Sequence, residues 1–332
     1  MGPIDSAMGI VKQAVYLLVV GSVIGGELLA FAGKFKPSGF VAKIWRYEEE
    51  VVHFLLGSLL SECTLFFIKS SSLASSFMFL GLLVAIILIN EFKRFQGGSG
   101  VAVRTALLAI CCFAFFGYLI PLALGFVGIF PFLLALVAAA GAAYPLLRWL
   151  RKKAGEENQQ LIKRQVLMPY GCTLAVILVL YMARLIPPVP LSVEFMGVYH
   201  EVKKEKGQYL LGYDPRGKSI FQNGEKVFYL RAGDRPYGFA RVFSPSRFSD
   251  RVQMRWMYKD PRRGWITTDV IPMSIAGGRV EGFRGFSFKS HVEPGDWQIR
   301  VETTDSREMG RLSFSIESDA SQEPREIQYE AQ

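Results

Sequence analysis

The sequence predicts an α-helical membrane bundle of six transmembrane helices, followed by an all-β, immunoglobulin-like sandwich domain. The distribution of charge is the first observation behind this prediction. Residues 1–186 hold 16 Lys and Arg and 9 Asp and Glu, whereas the remaining 146 residues hold 22 and 20. Soluble domains are about 25% charged, so the first part is too poor in charge to be one. The asymmetry excludes a wholly soluble enzyme, a disordered chain and a small disulfide-rich protein.

Six apolar runs are the second observation. An α-helix needs roughly 17–25 mostly apolar residues to cross about 30 Å of hydrocarbon. No polar face interrupts the runs, which excludes a soluble bundle of amphipathic helices. The third run is short, and a glycine-containing junction links the fourth to the fifth, as in a tight helical hairpin. We expect spans at residues 11–32, 51–68, 75–90, 105–126, 128–147 and 167–186.

The basic residues between the runs predict the orientation of the chain. Cytoplasmic loops of membrane proteins carry an excess of Lys and Arg. Thirteen such residues lie on one side of the six-span arrangement, and three lie on the other side before the β domain: Lys12, Lys69 and Arg184. This ratio predicts a multi-pass inner-membrane protein whose N-terminus and C-terminal domain are extracytoplasmic, which means periplasmic in a Gram-negative cell.

A cleaved signal peptide is the competing interpretation of the first run. Residues 30–32, Ala-Phe-Ala, resemble a small-residue cleavage site that follows an apolar stretch. Cleavage there would leave five spans and would misplace the four cations of loop 33–50. Glu27 would also lie unusually close to the cleavage site. We therefore favour an uncleaved anchor.

Three ionisable residues inside the predicted spans are candidate functional residues, because a charged group in a membrane is costly. They are Glu27 in the first span, Glu62 in the second span, and His53 near the start of the second span. One hypothesis is a proton or cation site between the first two helices. The hypothesis that we favour is that both carboxyls are protonated and hydrogen-bond neighbouring helices. A carboxylate-bridged di-metal site is rejected, because it requires two Glu-x-x-His repeats and the chain offers one.

Small residues in the first span predict close helix packing. Gly21 and Gly25 have the small-x-x-x-small spacing that lets two helices approach each other. In a bundle of several helices we expect this face to pack against an internal neighbour. The four cysteines all lie in predicted spans, and none has a His at metal-ligand spacing. We therefore expect no disulfide in the outer domain.

The chain changes character after the sixth span. Residues 187–192 form a Pro-rich linker that cannot continue a helix. Residues 193–318 contain about nine short segments of high β-propensity separated by turn signals, and residues 319–332 are expected to be a flexible polar tail. Nine strands without a helical pattern predict the immunoglobulin-like sandwich. The expected strands are 193–200, 208–213, 226–231, 238–243, 253–258, 265–272, 280–287, 295–303 and 309–317.

Four segments of this domain carry a resemblance to a known family: 252–258 (VQMRWMY), 282–289 (GFRGFSFK), 295–301 (GDWQIRV) and 310–314 (GRLSF). In this order they resemble the bacterial domain of unknown function 2914, which is usually found at the C-terminus of polytopic inner-membrane proteins. The resemblance covers roughly residues 230–317 and implies no activity, because the family is uncharacterised. The family often has Trp at the two positions that Phe283 and Phe286 occupy here.

The outer domain shows no recognisable catalytic constellation. It holds the two histidines His200 and His291, no cysteine, no Gly-x-Ser-x-Gly motif and no glycine-rich phosphate loop. We expect neither a metal nor another cofactor, and the nearly balanced charge disfavours nucleic acid as a partner.

An aromatic and cationic surface is the candidate binding site of the outer domain. Such a surface would suit an anionic polymer or a protein. The alternative, which we favour, is that the rings fill the sandwich core while Arg and Lys face water. The candidate residues are Phe283, Arg284, Phe286, Lys289 and Trp297.

The function that the sequence favours is structural. The lipid bilayer would hold the bundle, and the sandwich would bind a periplasmic protein or an envelope polymer. The alternative is a transporter or channel that uses Glu27 and Glu62, although the sequence shows no convincing internal repeat. An intramembrane enzyme ranks third, because His53 is the only histidine in the predicted spans.

Overall fold

The computed structural model describes two compact units within one chain. The first unit is helical and ends at Ile186, and the second contains the β-rich part from Pro187 to Gln332. The described residues are 7–69, 81, 98–186, 188–205, 207–220, 222–244, 249–276, 282–321 and 323–332.

The described part of the helical unit contains five long helices and two short ones. Its last helix is preceded by a 3-10 turn, a short α-helical turn and a π-helical turn, so the backbone hydrogen bonding changes three times before the helix becomes regular. The helices are α1 (Ala7–Phe31), α2 (Gly39–Trp45), α3 (Glu48–Lys69), α4 (Gly98–Leu124), α5 (Ile129–Ala154), α6 (Gln159–Ile162) and α7 (Met168–Met182).

Four helical stretches of the described residues are long and apolar enough to cross a membrane. They are Met8–Phe31, Gly100–Leu124, Ile129–Ala154 and Glu156–Met182, and they coincide with the first, fourth, fifth and sixth predicted spans. The second predicted span lies in α3, which is not among these four. The third, at 75–90, lies outside the described residues apart from Gly81. Six spans therefore remain a prediction.

The expected hairpin between the fourth and fifth spans is present as a four-residue turn, because α4 ends at Leu124 and α5 begins at Ile129. Gly125 and Gly128 have φ values of 81° and 142°. Residues with a Cβ rarely adopt these conformations, so the glycines allow the chain to reverse within four residues.

The second unit is all-β, as predicted. Every expected strand overlaps an observed one, and four strands (β2, β4, β5 and β13) were not expected. The strands are β1 (Ser192–Tyr199), β2 (Glu201–Glu205), β3 (Gln208–Tyr213), β4 (Lys218–Ser219), β5 (Gln222–Glu225), β6 (Val227–Leu230), β7 (Tyr237–Phe243), β8 (Ser249–Asp260), β9 (Gly264–Ala276), β10 (Phe283–Phe288), β11 (Gly295–Thr303), β12 (Glu308–Ser318) and β13 (Gln328–Ala331).

These strands form three sheets. The first sheet has the order β10-β7-β1-β5-β4, and the second has the order β6-β12-β11-β8-β9. Neighbouring strands are antiparallel except for β1 with β5 and β6 with β12. The third sheet is smaller and has the order β13-β3-β2.

The main core lies between the first and second sheets. Val198 and Val242 from the first sheet share one buried cluster with Trp256, Ile299 and other residues of the second sheet. The indole Nε1 of Trp256 donates a hydrogen bond to Ser287 Oγ at 2.9 Å, which joins β8 to β10 inside the core. A buried Trp needs such a partner for its N–H group, so this bond helps to fix the two sheets against each other.

A second, smaller core shows that the third sheet covers the other face of the first sheet. Tyr199 of β1 and Phe239 of β7 pack with Leu211 and Tyr213 of β3, and all four are buried. Because successive side chains of a strand point to opposite faces, Tyr199 turns away from the main core that Val198 enters. The unit is thus a two-sheet sandwich with an added third layer.

The expectation of a flexible tail at 319–332 was wrong for its last part. Residues 328–331 form β13, which pairs with β3 in an antiparallel register from Gln328 opposite Tyr213 to Ala331 opposite Leu210. The polar composition concealed this strand, because its side chains are mostly exposed and its order comes from pairing with β3.

Candidate functional site

Glu27, a candidate from the sequence, forms an ion pair inside the helical unit. Its carboxylate contacts Arg104 Nη1, and Nη2 of the same guanidinium lies 2.7 Å from Glu49 Oε1. Arg104 and Glu27 are only 10% and 9% exposed. Arg104 was expected in a loop, but it lies in the second turn of α4 and links that helix to α1 and α3. His53 follows Glu49 by one turn of α3.

Glu62, the second candidate, has different partners. Its two carboxylate oxygens lie 2.5 Å from Lys12 Nζ and 2.6 Å from Gln13 Nε2. Fifteen residues of α1 separate Lys12 from Glu27, which corresponds to about 22 Å along a helix. The two carboxyls therefore belong to separate clusters near opposite ends of the antiparallel α1–α3 pair, and the contacts do not bring them together into one site.

Of the two glycines predicted to form a packing face, Gly25 has the closer neighbour. A Cβ at Gly25 would lie 2.5 Å from Cζ3 of Trp149, whereas the nearest atom to a Cβ at Gly21 is 3.7 Å away, on Leu108. Only a residue without a Cβ lets the Trp149 ring of α5 lie against α1. Gly21 instead borders open space in the bundle.

An open cleft of about 790 Å³ lies on the surface of the β unit. Tyr258 and Trp297 contribute aromatic rings whose centroids are 5.1 Å apart, and the Trp297 indole donates to the Glu293 carbonyl at 2.8 Å. Lys289 Nζ lies 5.6 Å from the Trp297 ring centroid and contacts the Asp269 carboxylate. The rim also carries Arg231, Asp234, Asp260, His291 and Glu293.

The five candidate residues of the outer domain do not form one surface. Lys289 lines the cleft. Trp297 borders the cleft but is a buried member of the main core, against which Phe283 also packs. Arg284 and Phe286 point to the opposite face of β10, where Arg284 Nη1 donates to the Gln332 carbonyl at 2.8 Å and Phe286 is 39% exposed. The alternation of side chains along a strand explains this separation.

A buried polar pair of the β unit was not among the residues predicted from the sequence. His200 Nδ1 lies 2.7 Å from Glu225 Oε1, which also accepts the Asp214 backbone N–H at 2.9 Å. The imidazole stacks on Phe228 with a centroid distance of 4.0 Å. Burial raises the pKa of the fully buried Glu225, and the neighbouring His200 opposes this effect. No sequence motif indicated the pair, because His200 and Glu225 are 25 residues apart.

A network of Arg and Asp side chains holds the 319–332 segment against the β unit. Arg325 Nη1 lies 2.9 Å from Asp234 Oδ2, and its Nη2 donates to the Tyr229 carbonyl at 2.6 Å. Arg231 Nε lies 2.9 Å from Asp319 Oδ2. Because Arg231 and Asp234 also line the cleft, the segment and the cleft share two side chains.

The strand β13 adds backbone and side-chain bonds to this network. Gln332 and Tyr209 exchange backbone hydrogen bonds of 2.8 and 2.9 Å. The Tyr329 hydroxyl donates to Glu201 at 2.7 Å, and the Tyr199 hydroxyl donates to Glu330 at 2.5 Å. These contacts tie β13 to β3 and β2 of its own sheet and to β1 of the first sheet.

The docking of the 319–332 segment is expected to depend on pH through Asp319. The Ser321 backbone N–H, aided by the Arg216 and Arg231 guanidinium groups, holds the pKa of Asp319 well below its ordinary value of 3.8. A carboxylate with a lowered folded-state pKa contributes stability above its unfolded pKa and loses it as the pH falls through the folded value. We expect Asp319→Asn to lower the urea concentration at the midpoint of unfolding of the β unit at pH 6. The difference between the midpoints of the variant and the wild type should shrink below about pH 4.

The control for this measurement is Asp296→Asn, which removes an exposed ion pair with Lys259. Exposed pairs contribute about 0–1 kcal/mol, so this variant should follow the wild type at each pH. A difference for Asp319→Asn that stays constant between pH 6 and pH 3 would contradict the assignment.

Within the described residues, no group of three or more His, Cys, Asp and Glu side chains could hold a metal ion. Cys63, Cys111 and Cys112 are buried free thiols, and Cys172 is an exposed one. The cleft of the β unit combines aromatic rings with charged groups of both signs.

Three solved structures illustrate the likenesses that the chain shows to known folds. An immunoglobulin-like protein from Pseudomonas aeruginosa is 13% identical with a TM-score of 0.21, over 35% of this chain and 97% of that one. A β-glucosidase from Listeria innocua in complex with glucose is 12% identical with a TM-score of 0.22, over 27% of this chain and 14% of that one. The DNA glycosylase AlkC from Pseudomonas fluorescens is 13% identical with a TM-score of 0.25, over 92% and 98%. Likenesses this weak carry no functional argument.

No curated protein matches the chain. Residues 249–316, which run from the start of β8 into β12, match the family described as "Protein of unknown function (DUF2914)". The match falls within the stretch 230–317 where the sequence motifs resemble this family.

Proposed function

We propose that this chain is an integral protein of a bacterial inner membrane, and that it presents an immunoglobulin-like β-sandwich in the periplasm to bind an envelope partner. The observation that carries the proposal is the cleft at Tyr258 and Trp297. Its volume of about 790 Å³ lies within the range of roughly 300–1,000 Å³ that is typical of ligand sites. The excess of basic residues on one side of the predicted spans supports the orientation.

The composition of the cleft favours recognition by several weak contacts. The half-buried Tyr258 ring offers apolar area in the cleft, whereas Trp297 is only 3% exposed and belongs to the main core. The lining also carries both acids and bases. Lys289 is positioned by Asp269, and Asp234 by Arg325. Such a mixed rim suits an extended polymer or peptide of low net charge more than a strongly anionic one.

Transport through the helical unit is the second candidate function. One observation favours it: Oε2 of Glu27 is buried without a hydrogen-bond partner. Against it, Glu27 and Glu62 are each paired with a cation of a neighbouring helix. In a proteoliposome flux assay, transport predicts that Glu27→Gln or Glu62→Gln abolishes a proton-coupled flux, whereas structural pairing predicts that no such flux exists in the wild type.

Filling the cleft is expected to abolish partner binding. Thr268 lines the cleft on β9, and Thr267, which is also exposed, precedes it on the same strand. Thr267 lies opposite Met257 on β8 and accepts a hydrogen bond from Arg255 at 3.4 Å, and none of these three residues lines the cleft. Thr268→Trp should therefore block the cleft and Thr267→Trp should not. With a photo-crosslinking residue at His291 in intact cells, we expect Thr268→Trp to lower the yield of the crosslinked complex by at least about tenfold, a loss of roughly 1.4 kcal/mol.

The matched variant Thr267→Trp should retain the wild-type yield of complex. Equal losses for both variants would show that the effect is on folding or on the strand as a whole. An unchanged yield for Thr268→Trp would reject the cleft as the binding site.

A further inference from the structure

A lateral crevice in the helical unit has no part in the function proposed above. It has a volume of about 520 Å³ and opens at the side of the unit. Small residues on α1 and α5 form two of its walls, and aromatic rings of α4 form a third. Among the lining residues are Gly21, Ser22, Ala142, Ala143, Phe115 and Phe116.

The small residues leave the space that the crevice occupies. Ala142 is exposed, and a Cβ at Gly21 would still be 3.7 Å from its nearest neighbour. Seven positions after Ala142, the Trp149 ring lies against Gly25 of α1 and bounds the crevice at that end. The opening is therefore a feature of the sequence: larger side chains at these positions would fill it.

The lining of the crevice decides what can occupy it. Residues 14–22 of α1 line it, which is about 12 Å of helix. Most of the lining side chains are apolar, and about 520 Å³ of space is open between them. An elongated apolar group such as an acyl chain suits this lining.

A cation lies on the same face of α5 as the crevice. Ala142, Leu146, Trp149 and Lys153 follow one another at the spacing i, i+4, i+7 and i+11, which places them along one stripe of a helix. Trp is enriched at membrane interfaces, next to the headgroups. The Lys153 side chain is exposed, forms no ion pair with a described residue, and belongs to a basic last turn with Arg151 and Lys152.

The length of the stripe matches one leaflet of a bilayer. Eleven residues separate Ala142 from Lys153, which corresponds to about 16 Å of helix. Half of a hydrocarbon core of about 30 Å is about 15 Å. Trp149 is 40% exposed, so an acyl chain whose headgroup lies at Lys153 would run along the exposed part of its ring and end near Ala142, inside the crevice.

We propose that this crevice binds one acyl chain of an anionic phospholipid, with the lipid phosphate at Lys153. The acyl chain supplies the apolar contact and the phosphate supplies a counter-charge for the basic turn. Basic pockets between transmembrane helices are a general means of binding anionic headgroups. The site does not involve the cleft of the β unit, so a negative result for one proposal does not contradict the other.

Lipid retention by the purified full-length protein tests the proposal. After delipidation in detergent, the protein is mixed with equal amounts of phosphatidylglycerol and phosphatidylcholine, and the bound lipids are counted by native mass spectrometry. We expect the wild type to retain phosphatidylglycerol with at least a tenfold preference. Ala142→Phe should lose this lipid, because the ring fills the crevice.

Two matched variants distinguish the site from general effects. Ala140→Phe makes the same change on the opposite face of α5 and should bind as the wild type does. Lys153→Gln should lose the preference between the two lipids, whereas Lys152→Gln, which lies off the stripe, should keep it. A thermal-stability measurement on each variant confirms that the bundle has folded.

Several results would overturn the proposal. Equal retention of the two lipids by the wild type would show an unselective acyl contact. Equal effects of Lys152→Gln and Lys153→Gln would show that the basic turn attracts lipid without a defined site. Unchanged binding by Ala142→Phe, or no lipid bound by the wild type, would show that the crevice holds no lipid and is covered by another segment or by a partner.

Discussion

Replacing Arg104 with Gln is expected to lower the free energy of unfolding of the helical unit by about 3–5 kcal/mol. The guanidinium links Glu27 of α1 to Glu49 of α3, so its removal leaves a carboxylate unpaired among apolar helices. The penalty comes mainly from that remaining charge and not from the lost attraction. It should be measured as the shift of the SDS-induced unfolding transition of the purified protein in detergent.

The double variant Arg104→Gln with Glu27→Gln supplies the test of this reasoning. Since the second substitution removes the unpaired charge, it should restore a large part of the lost stability. Arg148→Gln, which changes an exposed arginine of α5, should have little effect. If Arg104→Gln alone unfolds as the wild type does, or if the double variant is less stable than the single one, the ion pair does not hold the helices together.

The Arg104–Glu27 pair also shows where prediction from the sequence ends. The apolar runs predict helices because the thickness of a bilayer imposes a minimum length on each run. The partner of Glu27 lies 77 residues away, and nothing in local spacing connects the two. A charge count treats Arg104 as a loop cation, whereas helix packing makes it a buried partner.

The β unit shows the same limit at a finer scale. Strands such as β11 were predictable because alternation of apolar and polar residues is a local property. The strand β2, Glu-Val-Lys-Lys-Glu over Glu201–Glu205, has no such pattern and is a strand because β3 pairs with it. The five candidate residues of the outer domain do not form one surface for a related reason. Phe283 and Arg284 are neighbours in sequence but lie on opposite faces of β10.

Replacing Arg325 with Gln is expected to release the 319–332 segment from the β unit without unfolding the sandwich. Arg325 is 11% exposed and contacts Asp234 and the Tyr229 carbonyl. Removal of the cation leaves the Asp234 carboxylate without this partner, at a cost of about 3 kcal/mol. That cost falls on the docking of β13, because the main core between the two larger sheets does not include Arg325.

Amide hydrogen exchange measures this release strand by strand. A local cost of about 3 kcal/mol corresponds to exchange that is faster by roughly 100-fold in β13 and along the edge of β3 that faces it. Amides of β11, in the centre of the second sheet, should exchange as in the wild type. Faster exchange throughout the unit would show that the network supports the whole sandwich and not the segment alone.

Two further variants separate the role of the Arg325 charge from that of its shape. Arg325→Lys keeps the charge but loses the fork that reaches two acceptors at once, so it should give an intermediate rate. Lys259→Gln removes an exposed pair with Asp296 and should leave β13 protected, because exposed pairs contribute little. Protection of β13 that survives Arg325→Gln would mean that strand pairing with β3 alone holds the segment, and that the Arg and Asp network adds no measurable stability to it.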